Sequence, residues 1–274
     1  MIKIFPKIDD VCAGVNVIGK YIGDMIEIQM TTIDTSLLID CVNKIVAKFP
    51  FIKEITVHSP MCMCDIEKNF DNKERLGFMY KLTNVCNKLS KKHSIRINML
   101  YHCSNSFVYF QEKKQLWLFR RLIKLMKGHR TYLLLENVVD IELTKKGKEP
   151  CISTVKMLRS NKVKMCFDIA HAYAASELNN KNILDVYSDN ELNRVVHQVH
   201  FSKYKKLEDF RTTYDHCENH SSIEELIIDL SLLKKLKLLK SNIIVEVIET
   251  ESYELREREL AELQLLEKYC NKEY

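Results

Sequence analysis

The chain has 274 residues, 46% of them apolar and 29% charged, and a formal net charge of +5. That length admits two small domains or one large one, and barrels of alternating strands and helices commonly occupy it as one. No apolar run approaches a bilayer span, which excludes a membrane-spanning helix, and the mild positive charge permits a nucleic-acid partner without demanding one.

Apolar bursts alternate with amphipathic stretches from end to end. Ile2–Phe5 reads as a short strand, and Val11–Ile22 as a helix weakened by its glycines. Met25–Met30 alternates like a strand, Thr35–Lys48 has helical spacing stopped by Pro50, and Glu54–Val57 is a strand ending at His58. Asp71–Leu89 is a polar-faced helix, and Ile95–Leu100 a strand leading into Tyr101-His102. Gln115–Met126 is an amphipathic helix closed by Gly128, and Thr131–Leu135 a strand closed by Glu136-Asn137. Ser153–Leu158 is a short helix before the Val163–Phe167 strand, which stops at Asp168. Val195–Val199 is a strand ending at His200, and Ile223–Leu239 is helical. Asn242–Val245 is a strand ending at Glu246, and Tyr253–Tyr269 a charged closing helix.

Eight strands, most followed by something helical, predict an α/β fold: a (β/α)8 TIM barrel forming one domain over residues 1–274. A glycine-rich phosphate loop is absent, which counts against an open doubly wound sheet. Met1–Asp10 lacks the apolar core of a signal peptide. Ten cysteines without a framework spacing predict reduced thiols in an intracellular compartment, whether cytoplasm, nucleus or virion. The C-x-C pair Cys62 and Cys64 is spaced more closely than zinc ligands usually are.

His58, His102, Glu136, Asp168, His200 and Glu246 each stand at or just past the end of an apolar strand run. In a barrel those ends converge on the C-terminal mouth, where active sites are built. Adding His171 and His220 brings five of the nine histidines into this set. Three carboxylates and several imidazoles crowded together need cations to neutralise and orient them, and all-N/O donors point to zinc or manganese. A polar rim without metal is the plainer alternative. Asp168 alone would also read as a helix N-cap beside an incidental His171. Glu218-x-His220 can aim both side chains at one ion from a loop, with His216 nearby, although solvated loops carry such spacings too.

The series VHSP (57–60), YHC (101–103), LEN (135–137), CFDIAHAYAA (166–175), HFSK (200–203), ENHSSI (218–223) and VEV (245–247) resembles the endonuclease IV family of abasic-site endonucleases. The motifs run in that family's order through roughly two-thirds of the chain. The resemblance implies a barrel holding three zinc ions, with manganese an alternative metal. His58 and His102 would ligate one ion and Glu136 would bridge it to a second, completed by Asp168, His200 and Glu246. His171, Glu218 and His220 would hold the third. The implied reaction is hydrolysis of the phosphodiester 5′ to an abasic nucleotide in double-stranded DNA, with Glu246 orienting the attacking hydroxide and Glu136 the other catalytic carboxylate. The implied protein is a monomer with no membrane partner.

Several positions depart from the family pattern. Glu218 replaces an Asp, Asn219 an Arg that contacts phosphate, and Met61 an aromatic that probes the DNA; Cys103-Ser104 replaces Pro-Gly. Lys203, Lys205-Lys206 and Arg211 are candidate phosphate contacts, or ordinary surface charges. The competing reading is a sugar isomerase or epimerase on the same barrel. There Glu136, Asp168, His200 and Glu246 would hold one ion, and the two glutamates would move a proton beside a carbonyl. That chemistry needs neither the His58/His102 pair nor Glu218/His220. A catalytically dead barrel kept for binding would have shed some of these ligands.

Overall fold

The computed structural model describes residues 2–10, 19–60, 72–103, 112–138, 150–187, 192–205, 217–246 and 255–273. Its strands are β1 (Lys3–Phe5), β2 (Lys7–Asp9), β3 (Met25–Gln29), β4 (Glu54–His58), β5 (Arg96–His102), β6 (Thr131–Glu136), β7 (Val163–Asp168), β8 (Val196–Phe201), β9 (Lys203–Tyr204), β10 (Cys217–Glu218) and β11 (Asn242–Val245). Nine of them form one parallel sheet in the order β1-β11-β8-β7-β6-β5-β4-β3-β2. Its two edges, β1 and β2, are halves of one N-terminal strand split at Pro6, which has no N–H to give either neighbour. β1 pairs with β11 and β2 with β3, so the sheet closes on itself as the expected eight-stranded barrel. The expected strand Ile2–Phe5 is thus only the first half of this element.

The expected helices follow their strands, Thr35–Lys48 with its expected ends and Asn72–His93, Glu112–Leu125, Pro150–Leu158, Ile223–Lys235 and Leu255–Glu273 with shifted ones; Ile169–Leu178 and two short helices at Ile183–Tyr187 and Leu192–Val195 are additional. Of the expected Val11–Ile22 helix, Gly19–Tyr21 is a single 3-10 turn, and residues 11–18 lie outside the described set. No described helix is long and apolar enough to cross a membrane. Cys41 is disulfide-bonded, a correction to the expectation of ten reduced thiols, whereas Cys86, Cys103, Cys151, Cys166 and Cys270 are free.

The large apolar core lies between barrel and helices, where outward residues such as Val57, Leu135, Phe167 and Val199 meet the helical faces. Inside the barrel the apolar content is small: Leu100, Leu134 and Cys166 form one cluster, and Phe5, Met25 and Ile244 another. Polar side chains fill the remainder. Gln198 donates to Glu27 at 2.5 Å and accepts from Thr56 at 2.8 Å, and Asn98 reaches Thr56 at 3.2 Å and Glu54 at 2.6 Å. Such a column is unusual where branched aliphatics normally fill the layers. It spares the buried polar groups their desolvation cost by pairing them with one another.

Candidate metal centre

Sheet register brings the expected residues together. His102 lies beside Glu136 and Asp168 beside His200, each pair at the C-terminal ends of adjacent strands. His58 ends β4, and Glu246 follows β11. One donor atom from each of Glu136, Asp168, His200 and Glu246 falls within 4.8 Å of the others, and the same holds for His58, His102 and Glu136. Glu136 belongs to both groups. Its Oε2 is 3.4 Å from His58 Nε2 and 3.6 Å from His102 Nε2, and its Oε1 is 3.5 Å from His200 Nδ1.

Second partners fix how these side chains face the cluster. His58 Nδ1 donates to the Ser59 carbonyl at 2.8 Å, which leaves the Nε2 lone pair toward Glu136. His200 Nε2 lies 3.0 Å from Glu27 Oε2, so Nδ1 faces Glu136, Asp168 and Glu246. His171 Nδ1 donates to the Asn137 carbonyl at 2.9 Å and also lies 3.2 Å from Glu136 Oε1. The Asn137 side chain ties β6 to β7, accepting from Asp168 N at 2.8 Å and donating to Asp168 O at 2.9 Å. Asp168 does two jobs. Its Oδ1 caps the Ile169–Leu178 helix at His171 N (2.6 Å), while Oδ2 is left facing the cluster.

Glu136 Oε2 and Asp168 Oδ2 are buried and make no hydrogen bond to a described residue, and His200 Nδ1 and Glu246 Oε2, equally buried, press against each other without regular hydrogen-bond geometry. Four converging donors in that state fit a divalent cation: buried polar atoms are otherwise paired, and imidazole with carboxylate suits zinc or manganese. Without a cation, protons carry the charge. Burial would lower His200, but Cys166, Glu246, Glu27 and Glu136 outweigh it and hold it well above the usual histidine range. Burial also opposes protonation of His171, yet Asp168 and Glu136 bring it up to about 9. His102 goes the other way: burial, with His58 and His171 adding to it, takes it down to about 3 despite Glu136, so it is neutral. Burial, with Glu136 and Glu246 behind it, pushes Asp168 up to about 6.

Three participants escaped the sequence reading. Glu27, fully buried on β3, completes a further donor group with His58 and His200. Lys7 on β2 places its ammonium 3.1 Å from Glu27 Oε1 and against Glu246 Oε1, a half-buried cation between two carboxylates. Burial would lower its pKa, but Glu246 and Glu27 raise it, so it stays charged. Gln198 lies beside both Glu27 and His200.

The third expected ligand set is not assembled. His220 is buried, but Nδ1 is 2.6 Å from Glu262 Oε1 and Nε2 is 2.9 Å from Asp229 Oδ2, so both ring nitrogens meet protein carboxylates. Its ring stacks on Phe201 at 5.1 Å, and Tyr173 donates to the other Asp229 oxygen at 2.8 Å. Glu218 pairs with Lys205 at 2.7 Å in a largely exposed contact. Of that trio, only His171 joins the central cluster. Lys203 is paired with Glu225 at 2.6 Å and Asn219 donates to the Arg258 carbonyl, so both are occupied within the chain. Met61, Lys206, Arg211 and His216 lie outside the described residues.

No protein-family model matches the chain, and no curated protein matches it in sequence. Solved structures do match in fold. The IolI protein with a bound zinc atom shares 15% identity over 98% of this chain and 96% of its own, with a TM-score of 0.63. The AsfvAP:AG structure shares 12% identity over 98% and 99%, with a TM-score of 0.55. D-Psicose 3-epimerase with D-tagatose, from Clostridium cellulolyticum H10, shares 12% identity over 94% and 89%, with a TM-score of 0.55. The fold is that of the xylose isomerase-like TIM barrels.

Proposed function

We propose that this chain is a metal-dependent phosphodiesterase that incises double-stranded DNA on the 5′ side of abasic nucleotides and leaves a 3′-hydroxyl. The observation that carries this reading is the pairing of two donor groups, His58–His102–Glu136 and Glu136–Asp168–His200–Glu246, on one shared carboxylate. A carboxylate-bridged pair of ions suits in-line displacement at phosphorus, where attacking and leaving oxygens both need charge stabilisation; a proton shuttle beside a carbonyl needs one ion. Zinc, or manganese, bound by these donors would supply Lewis-acid polarisation of the phosphate oxygens and a hydroxide at neutral pH. The chain's own part is placement. Glu246 has Oε1 held by Lys7 and presents Oε2 to the cluster, an edge suited to orienting the attacking hydroxide. Cys166 is no nucleophile, because burial raises its thiol well above its usual range, against a smaller pull from His200.

A sugar isomerase or epimerase using only the four-residue group is the second reading. The occupied state of His220 and Glu218 favours it, since one ion needs neither. Elemental analysis of the purified chain, with incision of an abasic duplex and epimerisation of a ketohexose assayed in parallel, separates the two. The nuclease predicts more than one ion per chain, abasic-strand incision, and loss of both in His58→Ala. One ion per chain, with sugar turnover that survives His58→Ala, would sink it.

A further inference from the structure

The opposite, N-terminal mouth of the barrel holds a second concavity of about 530 Å³ at the starts of β1, β3, β4, β5, β8 and β11. In such barrels this face normally serves stability alone. Here its lining carries five cationic side chains against two carboxylates, Asp24 and Glu54. Lys3, Lys53, Lys237 and Lys240 line it and are exposed. The fifth, Arg96, is oriented by two contacts: its guanidinium stacks over the Tyr132 ring at 4.3 Å and meets Glu54 at 3.5 Å.

The floor is built as well as charged. The pairing of β7 with β8 slips between Met165 and Cys166, whose partners are Val196 and Gln198, so His197 is the skipped residue. A bulge there re-aims a side chain. His197 turns onto Glu54, with Asn242 at 3.4 Å from its ring. Burial would raise the Glu54 carboxyl, but His197, Asn98 and Arg96 outweigh it and keep it ionised. Glu54 is thereby spent on neighbours already in place, which leaves Asp24 as the one other carboxylate of the lining against the four lysines.

We infer that the N-terminal mouth is a second binding site, for a small phosphate or phosphomonoester anion. Several cationic side chains lining one concavity focus positive potential, and a dianionic phosphate offers several acceptor oxygens to donors from different elements. An ordinary solvated lysine face would be convex and interspersed with acids. The polar column makes the site continuous with the catalytic mouth, since Glu54 bonds Asn98, Asn98 reaches Thr56, and Gln198 links Thr56 to Glu27.

The test is calorimetric titration of inorganic phosphate into the full-length, metal-loaded protein, into Lys53→Glu/Lys240→Glu, and into His58→Ala. The expected result is a saturable isotherm that His58→Ala retains and that the double variant weakens by roughly a hundredfold, about tenfold per lost charged contact. Its melting temperature should be unchanged, because both lysines are exposed. An isotherm that the double reversal leaves unchanged in affinity and stoichiometry overturns the proposal, as does binding lost entirely in His58→Ala, which would place phosphate at the metal mouth alone. A heat that never saturates, and only fades with added salt, overturns it too.

Discussion

Two buried histidine environments in this molecule look alike in composition and differ in completeness. At the C-terminal mouth, His58 and His200 each commit one ring nitrogen to a protein acceptor and turn the other toward Glu136, His200 also against Glu246, while Glu136 Oε2 and Asp168 Oδ2 make no hydrogen bond to a described residue. Around His220 nothing is left over: Glu262 takes one nitrogen, Asp229 the other, and Tyr173 and the His220 backbone N–H use the remaining carboxylate oxygens. The first is a donor set lacking its acceptor, and the second is a closed ion-pair network. Residue type alone does not separate a metal site from a structural cluster. The accounting of lone pairs and protons does.

The sharpest way to break the contrast is Glu136→Gln, because Glu136 belongs to both mouth groups. If the chain is the proposed two-metal nuclease, the variant loses bound metal at both positions and lowers incision by at least roughly a hundredfold, since even outer residues of such sites cost 10–100-fold. Retained metal and near-normal incision would show that the two groups do not act together. His220→Ala should do the reverse. Removing it strands two buried carboxylates, so stability should fall by about 3–5 kcal/mol while metal content at the mouth holds. A metal count that drops by one ion in this variant, with little change in melting, would mean that the third site of the endonuclease IV family forms after all.

Proton bookkeeping sharpens the comparison further. Burial would lower His220, but hydrogen bonds to Asp229 and Glu262 hold it at about 9, above the ordinary 6.5. A raised folded-state value means stabilisation that is complete below about 6.5 and lost as pH climbs through about 9, on the order of 3 kcal/mol. Urea denaturation of the metal-free protein between those limits measures it. At the mouth the linkage is to metal. Cation binding must displace the protons on His200 and His171, so affinity should rise with pH, steeply up to about 9 where His171 loses its proton. A flat metal isotherm across that range would contradict the ligand roles.

The strand-end residues were legible because each closes an apolar run, and parallel register then needs only closure to gather them. Glu27 was not. In Met25–Met30 it sits on the polar side of an alternating strand, a face that water would cover in an open sheet; only closure of the barrel turns it onto His200. Lys7 was hidden by Pro6, which makes the first strand look finished at Phe5. The motif around His220 was readable, but its direction was not. That depends on Asp229 and Glu262, which come from two helices whose sequences present both acids as ordinary solvent-facing charges.

The smallest expected effect tests the weakest member of the family pattern. Glu218 is 39% exposed at its side chain and Lys205 is 56% exposed, so their contact at 2.7 Å is a surface ion pair. Such pairs contribute fractions of a kcal/mol, because water screens them and two long side chains must be ordered. Glu218→Ala should therefore shift unfolding by less than about 1 kcal/mol and leave metal content alone. Glu218 sits on β10, a two-residue strand whose partner in the sheet is β9, with Asn219 and His220 just after it tied to Arg258 and Glu262. A third ion could draw its side chain toward His171 at the small cost of the Lys205 contact. Metal content measured for Glu218→Ala and Lys205→Ala separates these states. If Glu218 ligates, the first variant loses an ion, and the second binds it more tightly because the competing ammonium is gone. If both variants titrate like the wild type, the carboxylate belongs to the surface and the mouth works without it.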